Sequence, residues 1–355
     1  MNTTLELSEI DVKIGQLFMA GIRGTSLDEG TEALIRDYDL GGVILFSRNI
    51  ADPVQLATLC RDLQNSAMSH HGHLLFLAVD QEGGRVARLR GPFREFPGSS
   101  AIGKSKNPLE KALEFGTVTA REMKIVGLNM NLAPVIDVEM GKLEKHLEGR
   151  VFGKDPQVVA MLGRAVVKSL QESGVMAVAK HFPGLGLASV DPHFHALRIE
   201  AGLKDIENIN LPPFRAVIEE GVSGIMSSHA VYPALDPQHP ATLSRSIISG
   251  LLRENMGFEG LIITDDLEMG AISNRWSVAE GAAKALEAGA DILLICKDQK
   301  NVTQSIDIVR SKLLKGEIPF KRLEESTQRI LHARSRFLDP GEEISLEKVR
   351  EYFKV

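Results

Sequence analysis

Short apolar runs recur along the chain, and segments whose apolar residues have helical spacing lie between them. The runs lack polar alternation, which is expected when a parallel sheet is covered by helices and both strand faces are buried. They predict eight strands, at residues 15–22, 41–46, 74–79, 128–136, 177–181, 224–228, 260–264 and 290–296. Helical spacing between them is clearest at residues 52–67, 108–126, 155–173, 212–220, 244–255 and 278–288.

An unbroken alternation of eight strands with helices favours a (β/α)8 TIM barrel over an open, doubly wound sheet with an added subdomain. The length of 355 residues fits one such barrel. We therefore predict an α/β fold with a single TIM-barrel domain over residues 1–355. Residues from about 302 onward are expected to form two charged amphipathic helices and a tail.

Composition and charge exclude several classes of partner. The formal net charge is −6 and no cluster of Lys and Arg stands out, so we expect no nucleic-acid partner. The chain has neither a basic and apolar leader nor a run of apolar residues long enough to span a bilayer, so we expect no membrane partner. Two cysteines are too few for a disulfide framework. These features predict a cytoplasmic protein.

Catalytic groups of TIM barrels lie at the carboxyl ends of the strands. We therefore expect the polar residues that follow the apolar runs to converge in one pocket. Acids, histidines and a lysine dominate this set, which suits an enzyme site, although Asp also occurs there as a helix N-cap. The set consists of Asp80, Asp137, Lys180, His181, His229, Asp265 and Asp266.

Asp265 directly follows the seventh run, where a carboxylate can serve as a nucleophile or stabilise positive charge. A second group must then protonate the leaving group. His193 is the candidate, because imidazole titrates near neutral pH and Asp191 is placed to accept its other N–H. Both lie on a loop rich in Gly and Pro that follows the fifth run.

Two segments are candidates for holding a ligand. Residues 79–88 place Asp80, Glu82, Arg85 and Arg88 around a pair of glycines, and such charged groups suit sugar hydroxyls. In the alternative interpretation Glu82 and Arg85 brace the loop as an ion pair. Lys180 and His181 end a buried strand, where a lysine is costly without a partner. We favour ligand binding for this pair over a purely structural role.

Together these motifs resemble glycoside hydrolase family 3, most closely its single-domain bacterial β-N-acetylglucosaminidases. The resemblance spans nearly the whole chain and rests on residues 41–49, 79–86, 131–138, 150–153, 180–184 and 263–269. It implies a retaining exo-acting enzyme without a cofactor or metal, which releases terminal β-linked GlcNAc in the recycling of cell-wall muropeptides. The implied roles are Asp265 as nucleophile, His193 with Asp191 as acid/base, and sugar binding by Asp80, Arg88, Arg150, Lys180 and His181.

The sequence departs from the family pattern in the loop after Lys180. The family usually has His, Asp, Thr and Ser at the positions of Leu185, Leu187, Ala188 and Pro192, but the spacing from Lys180 to His193 is unchanged. Two alternatives therefore stay open. One is a catalytically weak or inactive sugar-binding member of the family. The other is a metal-dependent barrel hydrolase, because Asp191, His193 and His195 have the spacing of metal ligands.

Overall fold

A computed structural model of the chain describes residues 9–141, 144–187 and 197–355. Within these ranges, eight parallel strands form one sheet, which confirms the predicted (β/α)8 barrel. The strands are Phe18–Gly21 (β1), Gly42–Leu45 (β2), Phe76–Val79 (β3), Met130–Asn131 (β4), Met176–Phe182 (β5), Gly224–Ser227 (β6), Leu261–Thr264 (β7) and Leu293–Ile295 (β8).

The strands pair in chain order from β1 to β7, and β8 pairs with β1. A parallel bridge between Ile263 in β7 and Ile292 just before β8 brings the two ends of the sheet together. Every residue of the eight strands is buried. The apolar runs without polar alternation are thus explained by a closed barrel whose strands face core on both sides.

Helical segments connect successive strands, and several begin where the sequence supplies a cap. Asp52 accepts hydrogen bonds from the backbone N–H groups of Val54 and Gln55, and Asp298 accepts one from Lys300. In the part of the chain described here, no helix is both long and apolar enough to cross a membrane. The main outer segments are Glu29–Tyr38, Pro53–His71, Pro108–Ile125, Pro156–Glu172, Leu211–Glu219, the π-helix Ser246–Asn255, Val278–Ala288 and Gln299–Leu314.

Two sequence predictions about the chain ends were wrong in part. The first run was expected to be a strand from residue 15, but Glu9–Gly15 is a helix and β1 begins only at Phe18. Gly15 packs so closely on the end of the next helix that a Cβ there would lie 1.5 Å from the Tyr38 carbonyl oxygen. The predicted run therefore begins in the packed end of a helix and becomes a strand only at Phe18.

At the other end, the chain forms three helices after β8 and its linker rather than two and a tail. Gln299–Leu314 and Phe320–Phe337 are followed by Leu346–Phe353. This last helix is short but buries Phe353, whose ring lies 4.6 Å from that of Phe93. Tertiary packing orders a segment whose composition suggested only a polar tail.

A charge cluster at the amino-terminal end of β8 attaches the helix Phe320–Phe337 to the barrel. The fully buried carboxylate of Asp291 lies 2.7 Å from Arg253 Nη2, 2.8 Å from Arg322 Nη2 and 3.1 Å from Arg329 Nη1. Arg322 and Arg329 belong to that helix. This end of a TIM barrel is the one usually devoted to stability.

Candidate active site

A cavity of about 270 Å³ lies at the carboxyl ends of the barrel strands. Its floor is apolar and consists of side chains inside the barrel, namely Ile44, Leu132, Met226 and Leu294. Its polar wall is formed by Asp80, Glu82, Arg88, Arg150, Lys180, His181, Asp265 and Asp266. The cavity therefore combines buried apolar side chains with a charged wall, as small-molecule sites usually do.

Four charged side chains form an ion-pair network on one wall of the cavity. Lys180 Nζ lies 2.7 Å from Asp80 Oδ1 and 2.8 Å from Glu82 Oε1. Arg150 donates to the same Glu82 carboxylate through Nε at 2.7 Å and Nη2 at 2.8 Å. The network joins the end of β3, the end of β5 and the loop after β4. It gives Lys180 the partners that a buried ammonium group requires.

The network keeps Glu82 and Lys180 ionised at neutral pH. Burial raises the pKa of Glu82, but the charges of Lys180 and Arg150 outweigh burial and hold that pKa well below its usual range. Burial lowers the pKa of Lys180, but Asp80 and Glu82 raise it above its ordinary value. The wall therefore presents fixed positive and negative groups to a ligand.

Asp80 is oriented through both of its oxygens. Oδ1 binds Lys180, and Oδ2 lies 3.3 Å from Arg88 Nη2. The Arg88 guanidinium also lies over the ring of Phe46, 5.6 Å from its centroid. Both Asp80 and Arg88 line the cavity, so a carboxylate acceptor and a guanidinium donor stand side by side. Such a pair can bind the hydroxyl groups of a sugar.

His181 is held by a fully buried carboxylate behind it. Asp137 Oδ2 lies 2.8 Å from His181 Nδ1, and Asp137 Oδ1 accepts the backbone N–H of Leu185 at 2.7 Å. A carboxylate can only accept, so Nδ1 carries the proton and the imidazole orientation is fixed. Asp137 thus orders both a cavity-lining ring and the first residues of the following loop.

Asp265 follows β7 and lines the same cavity. Its Oδ1 accepts the backbone N–H of Asp266 at 2.8 Å. Burial raises the pKa of Asp265, but its interactions with His229 and His181 outweigh burial, so the pKa lies below its ordinary value. Asp265 is therefore ionised at neutral pH, as a nucleophile must be. His229 Nε2 donates to the carbonyl of Asp266 at 3.0 Å.

The proposed brace between Glu82 and Arg85 was wrong. Glu82 pairs with Arg150 and Lys180, whereas Arg85 donates to the carbonyl of His146. Positive φ angles at both glycines between Glu82 and Arg85 turn the backbone, which separates the two side chains.

Glu82 is a site residue that the sequence analysis assigned to a brace and left out of the predicted sugar-binding set. It lines the cavity two positions after Asp80, in the short strand Gln81–Gly83. Residues two apart in an extended segment share a face, so this spacing was the signal that could have identified it.

The structure places six of the predicted site residues around one cavity. Asp191 and His193 fall outside the described residues, and so does His195, on which the metal-site alternative depends. Their roles stay predictions. The residues brought together are Asp80, Arg88, Arg150, Lys180, His181 and Asp265.

Comparisons with known proteins agree on one family. The glycosyl hydrolase family 3 N-terminal domain matches residues 9–333. A β-hexosaminidase of Nitrosomonas eutropha is 36% identical over 342 residues, which cover 92% of this chain and 95% of that protein. Two solved structures also superpose closely on this one.

The first is a glycoside hydrolase family 3 β-N-acetylglucosaminidase from a Paenibacillus species, with a TM-score of 0.91 and 34% identity, covering 98% of this chain and 68% of that chain. The second is a β-N-acetylhexosaminidase from Beutenbergia cavernae, with a TM-score of 0.86 and 31% identity, covering 93% of this chain and 99% of that chain.

Proposed function

The chain belongs to glycosyl hydrolase family 3 and is a glycoside hydrolase with β-hexosaminidase activity, and we propose that it releases terminal β-linked GlcNAc with retention of configuration. In this proposal Asp265 forms a covalent glycosyl-enzyme intermediate. His193, oriented by Asp191, is the acid and base. Asp80, Arg88, Arg150, Lys180 and His181 bind the sugar or hold the groups that do.

One observation carries the proposal. An ionised carboxylate, Asp265, lines the same small cavity as the oriented pair of Asp80 and Arg88. A sugar held by the ion-pair wall would then have the carboxylate beside it, as a nucleophilic displacement requires.

The proposed reaction has two balanced steps. Asp265 attacks the anomeric carbon, the glycosidic C–O bond breaks, and His193 transfers a proton to the departing oxygen. In the second step His193 takes a proton from water, the resulting hydroxide attacks the anomeric carbon, and the ester bond to Asp265 breaks. Two inversions give a product with the configuration of the substrate.

The shape of the cavity favours action at a chain end. Ile44, Leu132, Met226 and Leu294, which line the pocket, lie in or directly after barrel strands and are almost completely buried. A volume of about 270 Å³ suits one sugar unit rather than a long oligosaccharide. The sugar must therefore enter as a terminal residue, with the rest of the substrate directed outward.

The test compares wild type, Asp265→Ala and Asp298→Asn on an aryl β-N-acetylglucosaminide. We expect Asp265→Ala to lose at least about 10³-fold in kcat, because no covalent intermediate can form. Asp298 lies exposed at the same rim, where Asn also serves as an N-cap, so Asp298→Asn is expected to retain activity. Unimpaired hydrolysis by Asp265→Ala would defeat the assignment.

Two further readouts test the chemistry. A mechanism-based fluorosugar followed by peptide mapping should label the peptide that contains Asp265. Proton NMR of the first product formed should show the β-anomer. An α-anomer would indicate inversion and would exclude a covalent intermediate.

The sugar-binding alternative makes a different prediction. Leu185 replaces a family histidine, yet its backbone N–H still anchors the loop by binding Asp137 Oδ1 at 2.7 Å. We therefore expect turnover. Binding of GlcNAc without turnover by the wild type would favour an inactive sugar-binding protein, and loss of activity on chelation would favour the metal-dependent hydrolase.

We extend the proposal to cell-wall muropeptides and to the cytoplasm. The muropeptide assignment rests on the family resemblance, and the location is supported by Cys60 and Cys296, which are both free and buried thiols. Purified enzyme should release GlcNAc from a GlcNAc-terminated muropeptide, and cell fractionation should place the activity with cytoplasmic markers. Activity confined to the medium or periplasm would refute the location alone.

A further inference from the structure

Asp266, next to the proposed nucleophile, contacts the ends of three neighbouring strands. Its N–H donates to Asp265 Oδ1 at 2.8 Å, at the end of β7. Its carbonyl accepts from His229 Nε2 at 3.0 Å, after β6. Its Oδ1 accepts the backbone N–H of Cys296 at 3.3 Å, after β8. One residue thus links the three junctions that surround the Asp265 carboxylate.

The side chain of Asp266 does not act as a helix cap. The helix after it, Gly270–Ser273, has Met269 at its N-cap position. Besides Cys296, Asp266 Oδ1 accepts the N–H of Glu268 at 3.1 Å. Asp266 also lines the cavity that contains Asp265.

The charged surroundings of Asp266 are mixed. Asp265 and Glu268 disfavour its ionisation, and Lys297 favours it; His229 and Cys296 are the titratable residues on the adjacent strand ends. Burial is the main influence and raises the pKa of Asp266 to about 6. Asp265 has a pKa below its ordinary value. Adjacent carboxyl groups whose environments separate their pKa values commonly have different roles in one mechanism.

We propose that Asp266 is a positioning residue for the glycosidase reaction, which fixes the Asp265 carboxylate by linking the ends of β6, β7 and β8 and adjusts its reactivity through the charge of its own side chain. This inference rests on the proposed function of Asp265. When Asp266 is ionised, a second negative charge lies beside the nucleophile and stabilises the positive charge that develops at the anomeric carbon. When it is protonated, that contribution is absent.

The experiment compares kcat and KM of wild type, Asp266→Asn, Asp266→Ala and Asp298→Asn from about pH 5 to about pH 8 on an aryl β-N-acetylglucosaminide. Asn keeps a side-chain oxygen that can accept from the N–H groups of Glu268 and Cys296, but it cannot ionise. Ala removes both side-chain hydrogen bonds and leaves the backbone contacts. Dividing wild-type by variant rates cancels the titration of the acid/base histidine, which all variants share.

We expect the wild-type to Asp266→Asn ratio of kcat/KM to rise from near unity below about pH 6 to about 3–10 above it. Asp266→Ala should lower kcat about 10-fold or more at every pH with KM changed less than about 3-fold, because sugar binding depends on other residues. The Asp298→Asn ratio should stay flat. A ratio for Asp266→Asn that does not change with pH would overturn the inference.

Fluorosugar labelling separates this inference from the function on which it rests. Wild type labelled at Asp265, with a pH-dependent Asp266→Asn ratio, supports both. Labelling at Asp265 with a flat ratio overturns only the role of Asp266. Absence of the label at Asp265 overturns the proposed function and the inference together.

Discussion

Arg150 binds the carboxylate of Glu82 through two N–H groups, at 2.7 and 2.8 Å, although the two residues are separated by 68 positions in the sequence. The pair connects the hairpin after β3 to the loop after β4. Lys180 from β5 also binds the carboxylate of Glu82. The charged wall of the cavity is therefore held together by its own members before any ligand arrives, which is the preorganisation that binding and catalysis require.

Replacing Glu82 by alanine should destabilise the protein strongly. The change leaves Arg150 without its bidentate partner and removes one of two carboxylates from buried Lys180, and such a loss typically costs about 3–5 kcal/mol. Urea unfolding measures it. Glu95→Ala is the matched control: its pair with Arg90 is exposed to solvent, and we expect a much smaller change than for Glu82→Ala. Equal losses in the two variants would contradict the network.

Glu82 should also make stability depend on acid pH. Its pKa is lower in the folded state than the ordinary value of 4.5, so its contribution to stability is complete above that pH and is lost as pH falls. Glu82→Gln removes this titration. We expect the difference in unfolding free energy between wild type and Glu82→Gln to shrink as pH decreases from about 6 to about 3. A constant difference over that range would be the contrary result.

Asp80→Asn should affect binding and catalysis more than folding. The carboxylate that faces the ligand loses its charge, while Lys180 keeps its contact with Glu82 at 2.8 Å. Loss of one charged hydrogen bond corresponds to a decrease in kcat/KM of about 10- to 100-fold. Steady-state kinetics and a melting curve measure the two effects separately. Unchanged kinetics with a large loss of stability would assign Asp80 a structural role instead.

Asp266 should lower the stability of the folded protein once its carboxyl group is ionised. Its folded pKa of about 6 is above the ordinary value of 3.8, so stability is lost as pH rises between these values and the cost is complete above about 6. Asp266→Asn, which is always neutral, should gain up to about 1–3 kcal/mol relative to wild type at high pH and little at acid pH. Denaturant unfolding at both extremes tests this. A gain that does not vary with pH would refute it.

The sequence predicted the barrel well because its strands are buried on both faces. Such strands appear in the sequence as continuous apolar runs, which are easy to identify. The same signal misplaced the start of β1, because Gly15 belongs to the helix Glu9–Gly15 and the strand begins only at Phe18. The helix Leu346–Phe353 was missed because its order depends on Phe353 packing against Phe93, a contact far apart in sequence. Local patterns do not contain such information.

For the site, the rule that functional groups follow barrel strands brought Asp80, Lys180, His181 and Asp265 to one cavity. Arg150 came only from the family resemblance, because it lies in a long loop. Its partner Glu82 was assigned to the nearest cation in sequence, Arg85. Ion pairs between distant loops are set by the closed barrel, so no spacing along the chain could reveal them.

The Asp291 cluster is a determinant of stability that lies far from the residues proposed to determine activity. Its three guanidinium groups gather before β8, whereas the proposed sugar-binding groups lie at or after the carboxyl ends of the strands, at the opposite end of the barrel. Thermal tolerance can therefore be engineered at the base, for example by strengthening the attachment of the helix Phe320–Phe337, while turnover is left as it is. Changes of substrate preference at the rim, conversely, leave this attachment at the base untouched.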